Sequence, residues 1–348
     1  MSAIRKALPF LLGLFLSGLL AGIAVSPRAS TAMEAVRNRD THALFPPLPS
    51  SVGSVLAHTI SRAASAPPHD TPAPAAEPTD APEEASPEPL LPPESESVLE
   101  TTITGGLTIK NQTDFDVDIN AILKAGTPIR LPSHGVQILI IHTHSSEAYT
   151  QAGLDRYAPS DTCRTEDPDY NILRVGEELT KIFEAAGLTV LHDTGVYDYP
   201  SYTGSYSRSG AAIASILTEH PEIAVVIDMH RDALGSGDVV YKTMAEEEGT
   251  TASQVMLLAG TDESGLEHPN WRGNLALALY LQNAVNSAFP TLMRPVSLVP
   301  QRYNQQLTPG SLIVEVGSSG NTLREALAAV RLFGRAIAPA LLDLVAWY

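Results

Sequence analysis

A single cysteine, Cys163, in 348 residues excludes an intramolecular disulfide and any zinc or iron–sulfur site built on cysteine. Basic residues are scarce as well. Against 39 Asp+Glu there are 22 Lys+Arg, a net charge of −17. That balance excludes electrostatic capture of nucleic acid or of an anionic lipid surface as the main business of the whole chain. Charged residues make up 18%, below the roughly 25% of ordinary soluble proteins, and aromatics only 6%. Two things are abundant instead: apolar residues, at 44%, enough for a sizeable core, and proline, at 27 residues. The length suggests about two domains at ~150 residues each, and the prolines qualify that.

The chain divides into an anchor, a tether and a domain. After Met1-Ser-Ala-Ile-Arg5-Lys6, the segment ALPFLLGLFLSGLLAGIAVSP carries no charge before Arg28. Its 21 residues as a helix reach roughly 30 Å, the hydrocarbon thickness of a bilayer. The one small-residue cleavage candidate, Ala24-Val25-Ser26, runs into Pro27, so residues 1–28 read as an uncleaved transmembrane anchor rather than a cleaved signal. Arg5 and Lys6 place the N-terminus inside, leaving the remainder extracytoplasmic. Residues 29–100 show no sustained periodicity. Within them, 66–100 hold ten prolines and nine acids with no Lys or Arg, the composition of a disordered, extended tether. Taking those nine acids from the −17 leaves −8 on the rest, so about half of the acidity belongs to the tether.

Residues 101–348 read as globular. ILII at 138–141 and AVVID at 224–228 are buried-strand runs, and SLIVEV at 311–316 is a third. Helical spacing runs from Asn171 to Gly187, through AAIASILTEH at 211–220, from Asn274 to Phe289, and from Thr322 to Val345. Strands alternating with helices predict an α/β domain with a mostly parallel sheet.

The candidate chemistry lies at strand ends, where open α/β sheets bind ligands. ILII is followed by His142-Thr-His144-Ser-Ser-Glu147. An imidazole and a carboxylate three residues apart converge on one side of a turn and suit two ligands of a zinc ion, although a surface histidine and a solvated acid give the same pattern. AVVID runs into Asp228-Met-His230-Arg231-Asp232. His230 completes a His/Glu/His set with one position open, and Asp228 or Asp232 could orient its ring. Glu315 interrupts an apolar strand, where a carboxylate is costly unless paired or functional, so it reads as a general base for the attacking water or as the partner of a buried arginine. Arg231 is placed to steady an oxyanion or a substrate carboxylate, or to form a structural ion pair. His142 should share a strand face with His144, either behind it or as the first ligand in its place, and Glu166 is an alternative to Glu147. His192, His220 and His268 are weaker candidates. Tyr202, Tyr206, Arg302 and Asn304 are candidate cleft residues.

The blocks IKNQTDFDVDINAIL, ILIIHTHSSEAYT, DYNILRVGEEL, YDYPSYTGSYSRS, VVIDMHRDA, LAGTDESGLEHPNW and RYNQQLTPGSLIVEVGSSGNT, in this order, resemble the stage II sporulation protein P family over roughly residues 101–345. The resemblance implies a three-layer α/β fold of the zinc amidase or phosphorylase/hydrolase-like kind. It implies a membrane-anchored, zinc-dependent N-acetylmuramoyl-L-alanine amidase acting on peptidoglycan in sporulation, with possible endopeptidase activity on cross-linked stem peptides. It also implies work alongside stage II sporulation proteins D and M during engulfment of the forespore. The family's functional residues correspond to His142/His144, His230 and Glu315 here. One departure is Tyr197, where the family pattern leads one to expect histidine. Two rival readings are a zinc carboxypeptidase-like enzyme and a catalytically silent wall-binding scaffold.

Overall fold

The three apolar runs form neighbouring strands of one sheet. The computed structural model describes residues 97–101, 106–236 and 239–346; the expected anchor and nearly all of the tether lie outside them. Among the described residues no helix is long and apolar enough to cross a membrane.

The elements in chain order are β1 (Ser97–Thr101), β2 (Ile109–Asn111), α1 (Ile119–Ala125), β3 (Ile138–Ile141), α2 (Ile172–Ala186), β4 (Val190–His192), α3 (Ser205–Glu219) and β5 (Val225–Asp232). There follow β6 (Gly235–Ser236), β7 (Val239–Thr243), β8 (Ala245–Glu247), β9 (Thr250–Ala252), β10 (Val255–Gly260), α4 (Trp271–Ala288), β11 (Val296–Val299), a 3-10 turn (Gln305–Leu307), β12 (Ser311–Ser318) and α5 (Leu323–Leu342). Seven strands make the main sheet, in the order β2-β11-β10-β12-β5-β3-β4. Every pairing is parallel except β10 with β12. The fold is thus mixed α/β with a mostly parallel sheet flanked by helices. β1 pairs with β7, so Ser97–Glu100, within the stretch expected to be tether, form part of a strand.

Local signals account for the helix ends. Asn171 caps α2 by accepting from the Leu173 amide, and Gly187 closes it. Thr322 and Glu325 form a reciprocal capping box at the start of α5. Strands β10 and β11 have no counterpart among the sequence expectations. They are short apolar runs, VMLLAG and VSLV, beside a longer helix pattern, and a run of that length does not by itself distinguish strand from buried helix.

The two sheet faces are covered unequally. Ile138, Ile140, Ile227, Met229, Leu257, Leu312 and Val314 face a large core shared with α2, α4 and α5. Leu139, Ile141 and Val226 pack on Ile213 of α3 from the other side. Strand alternation puts Asp228 and His230 of β5 on the same side as Val226, the side of α3. One helix cannot cover all of that face, and the site lies on it. β5 runs four residues past the expected strand end, so Met229-His-Arg-Asp232 continue the strand.

On the other face, α2 approaches so closely that a Cβ on Gly176 would lie 2.5 Å from His142 Nε2 and 2.8 Å from His192 Nε2. Gly176→Ala is therefore expected to destabilise the domain by ~1–3 kcal/mol through overpacking, read as a lower urea midpoint at unchanged slope.

Candidate metal centre

His144, Glu147 and His230 come together at the carboxyl ends of β3 and β5. Each offers one ligand atom, these atoms lie within 4.8 Å of one another, and all three residues are buried. Glu147 sits between the rings, with Oε1 3.4 Å from His144 Nδ1 and Oε2 3.4 Å from His230 Nδ1. The rings meet edge to face, with centroids 5.0 Å apart.

Outer groups hold these side chains. His144 Nε2 lies 3.1 Å from Ser205 Oγ at the start of α3. His230 Nε2 lies 3.0 Å from Asp228 Oδ1, off the line of a formed hydrogen bond. Asp228 is fixed in turn by the Thr143 amide (2.8 Å) and the Thr143 hydroxyl (2.6 Å). The Arg231 amide donates to Glu147 Oε2 at 3.1 Å. Each imidazole thus turns Nδ1 to the centre and Nε2 to an oxygen, the arrangement that orients metal-ligating histidines.

Charge follows from this packing. Burial pushes the Glu147 carboxyl up, but contacts from His144 and His230 outweigh it and hold it well below the usual range. Burial likewise opposes a charged His230, and Asp228 with Glu147 overcomes it, raising that imidazole well above its ordinary value. Asp228 stays ionised below its usual pKa by the same pairing, against its burial. Two buried carboxylates around two histidines form a cage that calls for a cation, and the nitrogen–oxygen–nitrogen donor set fits zinc. Asp228→Asn, which loosens the orientation of His230, is expected to weaken zinc affinity by roughly 10–100-fold, measurable by competition with a chromogenic chelator.

Glu315 stands beside this cage. It is level with His230 in the parallel register of β12 against β5. Just beyond it the register slips, with Gly317 at φ +68°, where a Cβ would press on Ser253 at 2.9 Å. A bulge there re-aims the end of the strand next to the site. Glu315 Oε2 is buried without a hydrogen-bond partner among the described residues, and burial raises the carboxyl to about 8.

Several expectations are altered. His142 does not share a face with His144: β3 ends at Ile141 and the chain turns over 143–146, which breaks the two-residue alternation. Its Nδ1 faces Met229 O at 3.2 Å and its Nε2 faces His192 Nε2 at 2.8 Å, on the α2 side. His144, and not His142, joins the cluster. Glu166 is exposed and is not among the clustered residues. Arg231 does not reach into the site, because Nε donates to Ala148 O and Nη2 to Cys163 O, tying β5 to the loops before α2. Arg302 Nη1 donates to Glu267 O. Asn304 donates to Tyr206 O and Ser209 Oγ, clamping α3, and also lines a small cavity with Asp228 and Tyr303. Tyr202 does cover the centre, stacked on His144 at 4.6 Å and more than half exposed. Tyr206 packs edge-on to His144 and parallel to His230. Tyr197 donates to Asp193 at 2.5 Å and touches none of the three clustered residues.

Asp198 and Arg164 went unread in the sequence. The Asp198 carboxylate is buried and accepts from Ser145 Oγ, from the Ser146 amide and hydroxyl, and from Arg164 Nη1 at 2.8 Å. Arg164 also approaches Glu147 Oε1 at 3.4 Å and lies 5.0 Å over the Tyr202 ring. Both residues sit in loops of ordinary composition, and no spacing marks them.

Fold and site together define a class: an α/β domain carrying a buried His–Glu–His, metal-competent centre at the carboxyl edge of a mostly parallel sheet. Sequence comparison takes this one step further. The profile of Stage II sporulation protein P (SpoIIP) matches residues 74–338, and the chain belongs to that family. It is 25% identical over 199 residues to Stage II sporulation protein P of Bacillus subtilis (strain 168), an alignment covering 54% of this chain and 47% of the relative, so the chain spans about half the length of the curated protein it matches. Among solved structures it is similar to the N-acetylmuramoyl-L-alanine amidase AmiC2 of Nostoc punctiforme, at 15% identity and TM-score 0.35, covering 60% of this chain and 96% of that one. It is also similar to the CwlD amidase from Clostridioides difficile in complex with the GerS lipoprotein, at 12% identity and TM-score 0.35, covering 60% and 98%.

Proposed function

We propose that this protein is a zinc-dependent peptidoglycan hydrolase of sporulation, an N-acetylmuramoyl-L-alanine amidase that cuts the amide between the lactyl group and L-alanine. One observation carries the reading: a buried His144–Glu147–His230 set beside Glu315, a half-buried carboxylate whose enclosed Oε2 has no hydrogen-bond partner among the described residues. Membership of the Stage II sporulation protein P family supports the substrate class. The uncharged segment at 7–27 and the proline-rich tether support an extracytoplasmic, membrane-anchored enzyme working on an immobile wall.

His144, Glu147 and His230 would hold the zinc. When bound, it would polarise the amide carbonyl and make water acidic enough to be activated near neutral pH. Glu315, once ionised, takes a proton from the attacking water and returns one to the departing amine. Asp228 and Ser205 keep the two imidazoles turned to the centre, and Tyr202 shields His144 from solvent on one side. Stage II sporulation proteins D and M are the partners the resemblance implies.

The deciding experiment digests purified sacculi with the zinc-loaded protein and weighs the products. Stem peptides released free of sugar identify an amidase. Trimmed or uncrosslinked peptides with the sugar still attached would replace this reading with a carboxypeptidase or endopeptidase, and no release by a zinc-loaded protein would leave a wall-binding scaffold.

A further inference from the structure

Tyr303 is a bulky aromatic at φ +52°, in the left-handed region that such side chains avoid unless the surroundings impose it. Here they do. The chain at Gln301–Arg302 crosses the end of β10 against Gly260, where any Cβ would collide with the Gln301 carbonyl and lie 2.9 Å from Arg302 Cα. On one side, Asn304 Nδ2 donates to Tyr206 O (2.9 Å) and Ser209 Oγ (3.0 Å) of α3. On the other, Gln305 accepts from the Gly260 amide (2.9 Å) and donates to Leu258 O (3.0 Å). Two consecutive amide side chains therefore clamp the turn between α3 and β10 and force the residue before them into an unfavourable conformation. Strain held in place from both sides in this way marks functional sites more often than it occurs by chance.

The clamp sets the Tyr303 ring on the open sheet face. It packs against Leu258, Val299 and Ile313. Ile313 lies two residues before Glu315 on β12, on the same face, and opposite Asp228. Asp228, Ile313, Tyr303 and Asn304 wall one small cavity. The ring is 5.1 Å from that of Tyr206, which itself stacks on His230. The Tyr303 hydroxyl makes no hydrogen bond to any described residue. Burial raises the phenol above its ordinary value, Glu315 and Tyr202 add to this and His230 opposes it, so the O–H keeps its proton at neutral pH. Arg231 is engaged by the carbonyls of Ala148 and Cys163, whereas the Tyr303 phenol on the face beside Glu315 offers a neutral O–H donor.

We propose that Tyr303 is a further catalytic residue, whose phenol donates a hydrogen bond to the oxygen of the scissile amide as the carbonyl carbon becomes tetrahedral. The proton stays on the phenol throughout, so no acid–base step is added. Binding of the ground-state amide gains little from such a bond and the transition state gains more. The inference rests on the hydrolase reading above.

The test compares full-length wild-type protein with Tyr303→Phe and His230→Ala on a soluble disaccharide–peptide fragment of peptidoglycan. Tyr303→Phe keeps the ring and removes only an oxygen with no hydrogen-bond partner among the described residues. Its melting temperature and zinc content are expected to match wild type, while kcat falls by roughly 10²-fold and KM stays within about threefold. A second variant, Tyr280→Phe, removes an α4 hydroxyl that donates to Ala340 O and is expected to leave kcat within about threefold. Undiminished kcat in Tyr303→Phe, or a loss confined to KM, would overturn the proposal. A loss of equal size in both phenylalanine variants would overturn the assignment to Tyr303 alone. If His230→Ala keeps full activity the hydrolase reading itself falls, whereas an inactive His230→Ala beside a fully active Tyr303→Phe removes only this inference.

Discussion

Glu315→Gln is expected to lower kcat on peptidoglycan fragments by roughly 10²–10⁴-fold, with zinc content and fold retained. The amide keeps the volume and one hydrogen-bonding oxygen but cannot accept a proton from water. Among the described residues the neighbouring acids are engaged elsewhere: Glu147 with both histidines, Asp228 with Thr143 and His230, and Asp232 with Arg294. Activity that survives the substitution at even a tenth of wild type would remove Glu315 from the mechanism.

The same residue makes a thermodynamic prediction for the metal-free protein. Burial raises its folded-state pKa to about 8, against an ordinary 4.5. Between those values the folded protein holds a proton that the unfolded chain has released, so this group's contribution to stability falls as pH rises from about 4.5 to about 8 and is constant beyond. Each pH unit in that window is worth about 1.4 kcal/mol at most. Metal-free Glu315→Gln should therefore be more stable than wild type at pH 8–9, and the difference should vanish near pH 4. Urea unfolding at several pH values measures it, and a difference independent of pH would contradict the burial of an unpaired carboxyl here. Because Glu315 as a base must be ionised, the rate should climb through the pKa of this group, and a bound cation should bring that pKa down from about 8.

His230→Ala is expected to abolish both zinc retention and hydrolysis. The imidazole is one of the three clustered donors and is held by Asp228 on one side and Glu147 on the other. Truncation would leave two buried carboxylates facing each other without their shared partner, so some loss of stability in the metal-free protein should accompany the loss of metal. Metal analysis after dialysis should find about one zinc per wild-type chain and less than about a tenth in the variant. Zinc should raise the wild-type melting temperature and leave the variant's unchanged, because a ligand stabilises in proportion to RT ln(1 + [L]/Kd), about 4.1 kcal/mol at a thousandfold excess over Kd. Equal zinc content in the two proteins would place the metal elsewhere.

Much of this site could be read before the fold was known, and the reason is local. His144 and Glu147 are close in sequence, so a single turn after an apolar run already brings them together. His230 and Glu315 stand out because a titratable side chain inside an apolar run is costly to bury unless it is paired or takes part in chemistry. Asn171 and Gly187 bracket α2 for equally local reasons, through a side-chain cap at one end and a left-handed turn at the other. The choice between His142 and His144 was not legible. It depends on whether the strand's alternation continues past Ile141, and the chain turns there instead. Arg231 misled because its spacing from His230 fits a catalytic role, while its length lets it reach the carbonyls of Ala148 and Cys163, about 70 to 80 residues earlier in the chain.

The sequence by itself determined the donor types, histidine and carboxylate in a chain with one cysteine, and the strand–helix alternation that sets them at strand ends. It also determined the contrast in composition between a proline-rich, acidic segment at 66–100 and the apolar remainder. Tertiary structure alone decided which histidine enters the cluster, which arginine is spent on backbone, that Asp198 and Arg164 brace the turn carrying Glu147, and that Tyr303 is held in a strained conformation beside Glu315. Those outcomes depend on contacts between segments far apart in the chain, fixed by strand register and helix packing. Residue type and spacing carry no information about such contacts until the sheet has formed.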